Sequence, residues 1–249
     1  MHSLTANLWN ESLKITYKKK TLFFLAFTLL LPLIAGLLLS RFQSGIGIGA
    51  IASQDFPIIM LGLLSSIFLP LFIFMGAADV FAGEMGDRTM KNTLTRPITR
   101  IKVFASKQLA LGIFIALYLA AGMLASVVSA LFFQHFGGLS AIAKWFLAYG
   151  AAFLPLLVLS MGSVFLAQFF SSSSSALTVS ILLYLAFKVA AFFIPQIAMY
   201  SPTAYTDWHM LWIGSGLALG KVSSIFMFLI ACSILFFTAG YYVFDKKEI

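Results

Sequence analysis

The sequence predicts an all-α integral membrane protein with six membrane-crossing helices and both chain ends in the cytoplasm. Three observations carry that prediction. Of the 249 residues, 61% are hydrophobic and only 10% charged, against about 25% charged in an ordinary soluble domain. Six apolar runs each approach or exceed the roughly 20 residues that cross about 30 Å of hydrocarbon at a rise of 1.5 Å per residue. Lys and Arg gather at one end of those runs, as they do on the cytoplasmic side of a polytopic chain. The composition excludes a disordered chain, a coiled coil and a disulfide scaffold. The single cysteine, Cys232, permits no internal disulfide.

Residues 1–20 are too polar to span. Leu4, Leu8, Trp9, Leu13 and Tyr17 recur at helical spacing, which predicts an amphipathic helix lying on the inner leaflet with Lys18–Lys20 near anionic headgroups. The predicted spans are 21–39, 57–78, 109–133, 145–169, 177–195 and 223–242, the fourth kinked at Pro155. Between the second and third lies a polar cytoplasmic loop, 79–107. Between the fifth and sixth lies an outer segment, 196–221.

Charge placement orients the chain. The predicted inner side carries Lys14, Lys18, Lys19, Lys20, Arg88, Lys91, Arg96, Arg100, Lys102, Lys107, Lys246 and Lys247, and the outer side only Arg41, Lys144 and Lys221. The net charge of +8 therefore reads as the positive-inside signature and not as a nucleic-acid surface. Trp and Tyr cluster near the span ends, where amphipathic rings meet the headgroups.

The loop is the most polar stretch of the chain. Met90 and Leu94 stand four apart, so a short helix shows both on one face. Pro97 cannot continue that helix but suits the first turn of the next. The pattern reads as helix, break at Arg96-Pro97, helix, with the second part running into the third span. Two readings stand on these residues alone: a solvated basic loop, or a lever rigidly joined to two spans.

The series Glu84, Thr89-Met90, Leu94, Arg96-Pro97-Ile98-Thr99-Arg100 and Lys107 resembles the segment that follows span two in ABC-2 type transporter permeases. Those carry Glu, then Gly-Thr-Leu, then Arg-Pro-Val-Ser-Arg, then Gly-Lys. Here Arg88 replaces the first Gly, Met90 the Leu, and Ser106 the Gly before Lys107. The N-terminal segment with Glu11 and the ending Tyr242-Val-Phe-Asp-Lys-Lys also resemble that family. The resemblance implies a permease subunit whose loop holds a coupling helix docked on a separate ATP-binding subunit. It implies a pair of permease copies, alike or different, that rock between inward and outward states. On it, Glu84, Arg88, Thr89, Met90, Leu94, Arg96, Pro97 and Arg100 are expected to form the coupling contact. ATP and magnesium are expected on the partner, with no cofactor, metal or nucleic acid bound by this chain. The expected location is the inner or plasma membrane of a bacterium, and the expected direction is export. Antibiotics, peptides, lipid-linked material and ions are all candidate substrates.

The chain is not expected to be an enzyme. Its nearest phosphate-loop pattern, 214–223, has Ser215 where the first glycine belongs and Val222 where the magnesium-binding hydroxyl belongs. His135, His209 and Met210 lack metal-ligand spacing. Lys188 stands inside the fifth span, where a charge costs about 2.5–3.5 kcal/mol on insertion scales. It reads either as a snorkelling lysine or as a charge lining the translocation path, meeting an anionic substrate or pairing with Asp207 or Asp55. The outer segment reads either as re-entrant, as the family resemblance implies, or as an interfacial loop. Two functions of other classes stay open: a secondary transporter, which the absence of Asp and Glu inside the spans disfavours, and a non-transporting membrane immunity or assembly factor.

Overall fold

The computed structural model describes residues 2–46, 56–90, 98–133, 139–194, 196, 199–213 and 219–247. All regular structure among them is helical. Six helices are long and apolar enough to cross a membrane: Lys19–Arg41, Phe56–Gly86, Arg100–Phe132, Ser140–Ala167, Ser173–Phe193 and Leu219–Lys246. They are called spans 1 to 6 below. An N-terminal helix, His2–Thr16, precedes them. An even number of spans puts this helix and the last residues of span 6 at one end of the bundle, here the basic end.

Spans 2, 3 and 4 form the centre, with about half of their apolar stretches buried, against 17% for spans 1, 5 and 6. Span 3 packs on span 1, on the N-terminal helix and on span 4, and span 4 also packs on spans 2 and 6. Leu61, Leu64, Leu69, Phe81, Phe104, Ile115 and Leu156 are sealed in the core. Lipid tails are as apolar as leucine, so close packing holds such a bundle together more than exclusion of water does. Gly36 illustrates the close approach: a Cβ there would run into the Ser129 hydroxyl of span 3.

Proline shapes two of the central spans. Proline has no N–H, so the carbonyl four residues earlier loses its helical partner. In span 2 the helix widens into a π-helical stretch, Leu64–Phe68, just before Pro70. The Ser66 carbonyl accepts instead from the Tyr184 hydroxyl of span 5 at 2.6 Å. In span 4, Pro155 frees the Ala151 carbonyl, which accepts from the Trp208 indole N–H at 2.6 Å. A second π-helical stretch, Asp79–Gly83, follows in span 2.

The Ala151 carbonyl and the Ser66 hydroxyl fix the segment between spans 5 and 6. Trp208 reaches Ala151, and Asp207 accepts from the Ser66 hydroxyl at 2.6 Å. Both contacts lie ten or eleven residues inside their spans, roughly 15 Å from the span ends at 1.5 Å per residue. The segment therefore dips into the bundle.

Helices outrun the predicted apolar runs at the basic end. Span 2 stays helical to Gly86 and span 3 is already helical at Arg100, so much of the predicted loop 79–107 is a helical extension of its two flanking spans. Hydropathy marks where a helix leaves lipid, not where its backbone hydrogen bonds stop.

Candidate functional site

The basic end is organised around Lys107, whose side chain is fully buried near the start of span 3. Its ammonium donates to Glu11 Oε2 of the N-terminal helix at 2.9 Å and to Glu84 Oε2 of span 2 at 2.7 Å. Lys14 closes the ring, 3.0 Å from Glu11 Oε1 and 3.5 Å from Glu84 Oε1. Two carboxylates and two ammonium groups thus alternate around one knot that ties three helices.

Its neighbours reinforce it. Asn7, one turn before Glu11, donates to the Ser106 hydroxyl at 2.5 Å. Asn7, Glu11 and Ile15 are buried while Trp9 and Tyr17 are exposed. The N-terminal helix therefore turns a mostly polar stripe onto the bundle and leaves Trp9, and Tyr17 just beyond its end, outside. Asp79 pairs with Lys18 at 3.7 Å and with Lys20 at 3.4 Å.

The electrostatics follow from burial and pairing. Burial alone would push the Glu11 carboxyl up, but the Lys107 and Lys14 ammonium groups outweigh it and hold Glu11 below its ordinary value. Burial would lower Lys14, but Glu11 and Glu84 outweigh it and raise Lys14 above its ordinary value.

The turn after span 2 carries the predicted contact residues. The Asp87 and Arg88 amides bond back to the Gly83 and Met85 carbonyls at 2.9 and 3.2 Å. Arg88 then takes a φ of 56°, the left-handed region that favours glycine. This is the position where the resembled permeases carry Gly. Thr89 donates to the Glu84 carbonyl at 3.3 Å. Arg88 and Thr89 are exposed, whereas Met90 is fully buried in the main core. Leu94, Arg96 and Pro97 lie outside the described residues. Arg100, at the start of span 3, donates to the Asp245 and Lys247 carbonyls at 2.6 and 3.1 Å. Lys247 in turn donates to the Gln168 carbonyl and contacts Met85 Sδ at 2.9 Å. The structure thus joins Glu84, Arg88, Thr89 and Met90 on one turn and sets Arg100 under the C-terminal tail.

Sequence reasoning did not place Glu11 and Lys107 in a common site with Glu84. The available signal was Ser106-Lys107-Gln108, a polar triplet inside the helical run that becomes span 3. All three are buried.

Near the opposite end, Lys188 donates to the Thr206 hydroxyl at 2.9 Å, and its ammonium lies 5.8 Å from the centre of the Tyr184 ring. Among the described residues no carboxylate lies within salt-bridge distance of Lys188. Of its two expected partners, Asp207 bonds Ser66, and Asp55 lies outside the described residues. His209 is fully buried beside Asp207.

The family profile of ABC-2 family transporter proteins matches residues 7–188. No curated protein matches the chain. The matched stretch opens on Asn7, takes in the whole Glu11–Glu84–Lys107 knot, the first four spans and most of the fifth, and ends on Lys188. With six apolar helices around it, the chain belongs to the ABC-2 transporter family, as a multi-pass membrane permease component.

Proposed function

We propose that the chain is the permease subunit of an ATP-driven exporter, coupled through the segment after span 2 to a separate ATP-binding subunit. The knot around Lys107 is the observation that supports this reading. It joins the N-terminal helix, span 2 and span 3 into one body at the end where the intervening segment emerges. A push on that segment would then move two spans and the N-terminal helix together. Arg88 and Thr89 stand exposed at its start, available to a partner, while Glu84 and Met90 anchor it from inside.

In this reading the basic end faces the cytoplasm of a bacterial cell and the spans cross its plasma membrane. ATP and magnesium belong to the partner. A second permease copy completes the path, and the thinly buried spans 1, 5 and 6 offer it apolar surface.

The test is co-purification from native membranes in mild detergent, with mass spectrometry and an ATPase assay. A stoichiometric ATP-binding subunit is expected. It should be lost from the Arg96→Glu/Arg100→Glu variant while the permease still inserts. Normal ATP-driven transport by the doubly reversed chain would remove the coupling assignment. Purification without any ATPase under several detergents would leave a secondary carrier and a scaffold, and transport that needs an ion gradient and no ATP would then identify the carrier.

A further inference from the structure

A cleft of about 300 Å³ opens between spans 2, 4, 5 and 6 and the dipping segment. That is roughly twice the ~150 Å³ cavity that accepts one benzene ring, and it reaches the lower bound of small-molecule pockets. Its walls are aromatic and aliphatic, with Phe74, Phe165, Phe187 and Phe236 prominent among them. One end is polar: Ser201 and Thr203 line it, their hydroxyls 2.7 Å apart.

Lys188 belongs to the same face. Ser180 and Tyr184 line the cleft from span 5, and Lys188 is the next residue of that four-residue stripe. Lys188 does not itself line the cleft; its ammonium bonds Thr206, whose hydroxyl bonds the carbonyl of the lining residue Thr203 at 3.4 Å, one residue behind the wall. An ammonium has three donors, and Thr206 takes one. The Asp207 carboxylate attracts it from beyond salt-bridge distance, so the ammonium has one hydroxyl and a ring face in contact and two donors left for a ligand.

We propose that the cleft binds an anionic amphiphile, its apolar chain between the aromatic walls and its acidic head on Lys188, Ser201 and Thr203. The proposal rests on reading Lys188 as a ligand-facing charge of the translocation path, and it is independent of how ATP is coupled. A snorkelling lysine needs no aromatic cleft beside it. A neutral apolar ligand needs no ammonium at its polar end.

The experiment is native mass spectrometry of the full chain in uncharged detergent, titrated with dodecyl phosphate. Dodecyl phosphocholine has the same tail and no net charge, and inorganic phosphate has the head alone. One dodecyl phosphate per chain is expected, bound at least tenfold more weakly by Lys188→Met and retained by Lys188→Arg. Gly162 lines the cleft, and a Cβ there meets only the Phe236 ring, at 3.6 Å or beyond. Gly162→Leu should therefore fill the cleft and abolish binding with Lys188 in place. Equal binding by Lys188→Met or Gly162→Leu overturns the proposal. So does dodecyl phosphocholine binding as tightly, or inorganic phosphate competing as well as dodecyl phosphate. ATP-driven transport by the same variants separates the two readings. Lys188→Met that loses binding but still transports keeps the site and removes it from the path. Lys188→Met that loses transport but still binds removes the site.

Discussion

The two ends of the bundle handle buried polarity in opposite ways. At the basic end charge meets charge: Lys107 sits between Glu11 and Glu84, with Lys14 closing the ring. At the other end charge meets neutral groups: Lys188 bonds a threonine, Asp207 a serine, and the Trp208 indole a carbonyl freed by proline. A paired knot resists being opened, because separating its members strands each charge in a poor solvent. Neutral contacts part more cheaply, since each is replaceable by water or by a ligand. The contrast sets a rigid end against one that can exchange partners.

The sharpest way to break it is Lys107→Met, which leaves two carboxylates without their central cation. Removing one member of a buried ion pair costs about 3–5 kcal/mol, and thermal unfolding in detergent should show a loss of that order. Glu11→Gln/Glu84→Gln/Lys107→Met should recover most of it, because the one charge left unpaired, Lys14, is half exposed to solvent. The knot also predicts a pH window. Glu11 is held low, so its contribution is complete above its ordinary value of 4.5 and disappears as pH falls through the lowered folded value. Lys14 is held high, so its contribution is complete below 10.5 and disappears as pH rises through the raised folded value. The knot's own contribution should be flat between those limits, and the acid-side fall from Glu11 should be absent in Lys107→Met.

At the opposite end the expected effect is smaller. Trp208→Phe leaves the Ala151 carbonyl without a donor, a cost of about 1–3 kcal/mol. Pro155→Ala restores the helical N–H that this carbonyl lacks, so in that background Trp208→Phe should cost clearly less. A double-mutant cycle on thermal stability reads the difference. If the cost is unchanged, the proline-freed carbonyl is not what holds the segment.

The smallest effect is expected at Arg88. Its left-handed backbone costs a side-chain-bearing residue about 1–2 kcal/mol, offset in part by the greater unfolded-state freedom of glycine. Arg88→Gly should therefore raise stability by about 0.5 kcal/mol, while removing an exposed charge from the proposed docking surface. A stabilised variant with weakened ATPase co-purification would separate the two roles of this residue.

What could be read from sequence follows from the range of the interactions. The six spans were legible because each is a local apolar run, and Lys and Arg give their alternation. The segment after span 2 stood out through the resemblance of its residues, which is where its proposed coupling role comes from, and Arg88 falls at a glycine position that the backbone explains. Glu11 and Lys107 are 96 residues apart, and no local spacing joins them. Nor does hydropathy reveal which face of the N-terminal helix is buried, because that face is chosen by Ser106 and Lys107 of another helix. The dip of the outer segment depends on the carbonyl freed by Pro155 and on the Ser66 hydroxyl. Pro155 reads as a kink, and the group that would occupy the freed carbonyl could not be read from it.

The π-helical stretches of span 2 bear on how this chain is compared with others. Each holds one residue more than an α-helix following the same path, so span 2 carries what amount to two single-residue insertions before Glu84. At about 100° per residue, deleting one from Leu64–Phe68 would swing Glu84 away from Lys107 while leaving the span as apolar as before. An ungapped alignment of this span with a purely α-helical one would slip by one residue after Phe68 and by two after Gly83. It would then set the wrong residue opposite Glu84, in a stretch where gaps are seldom allowed.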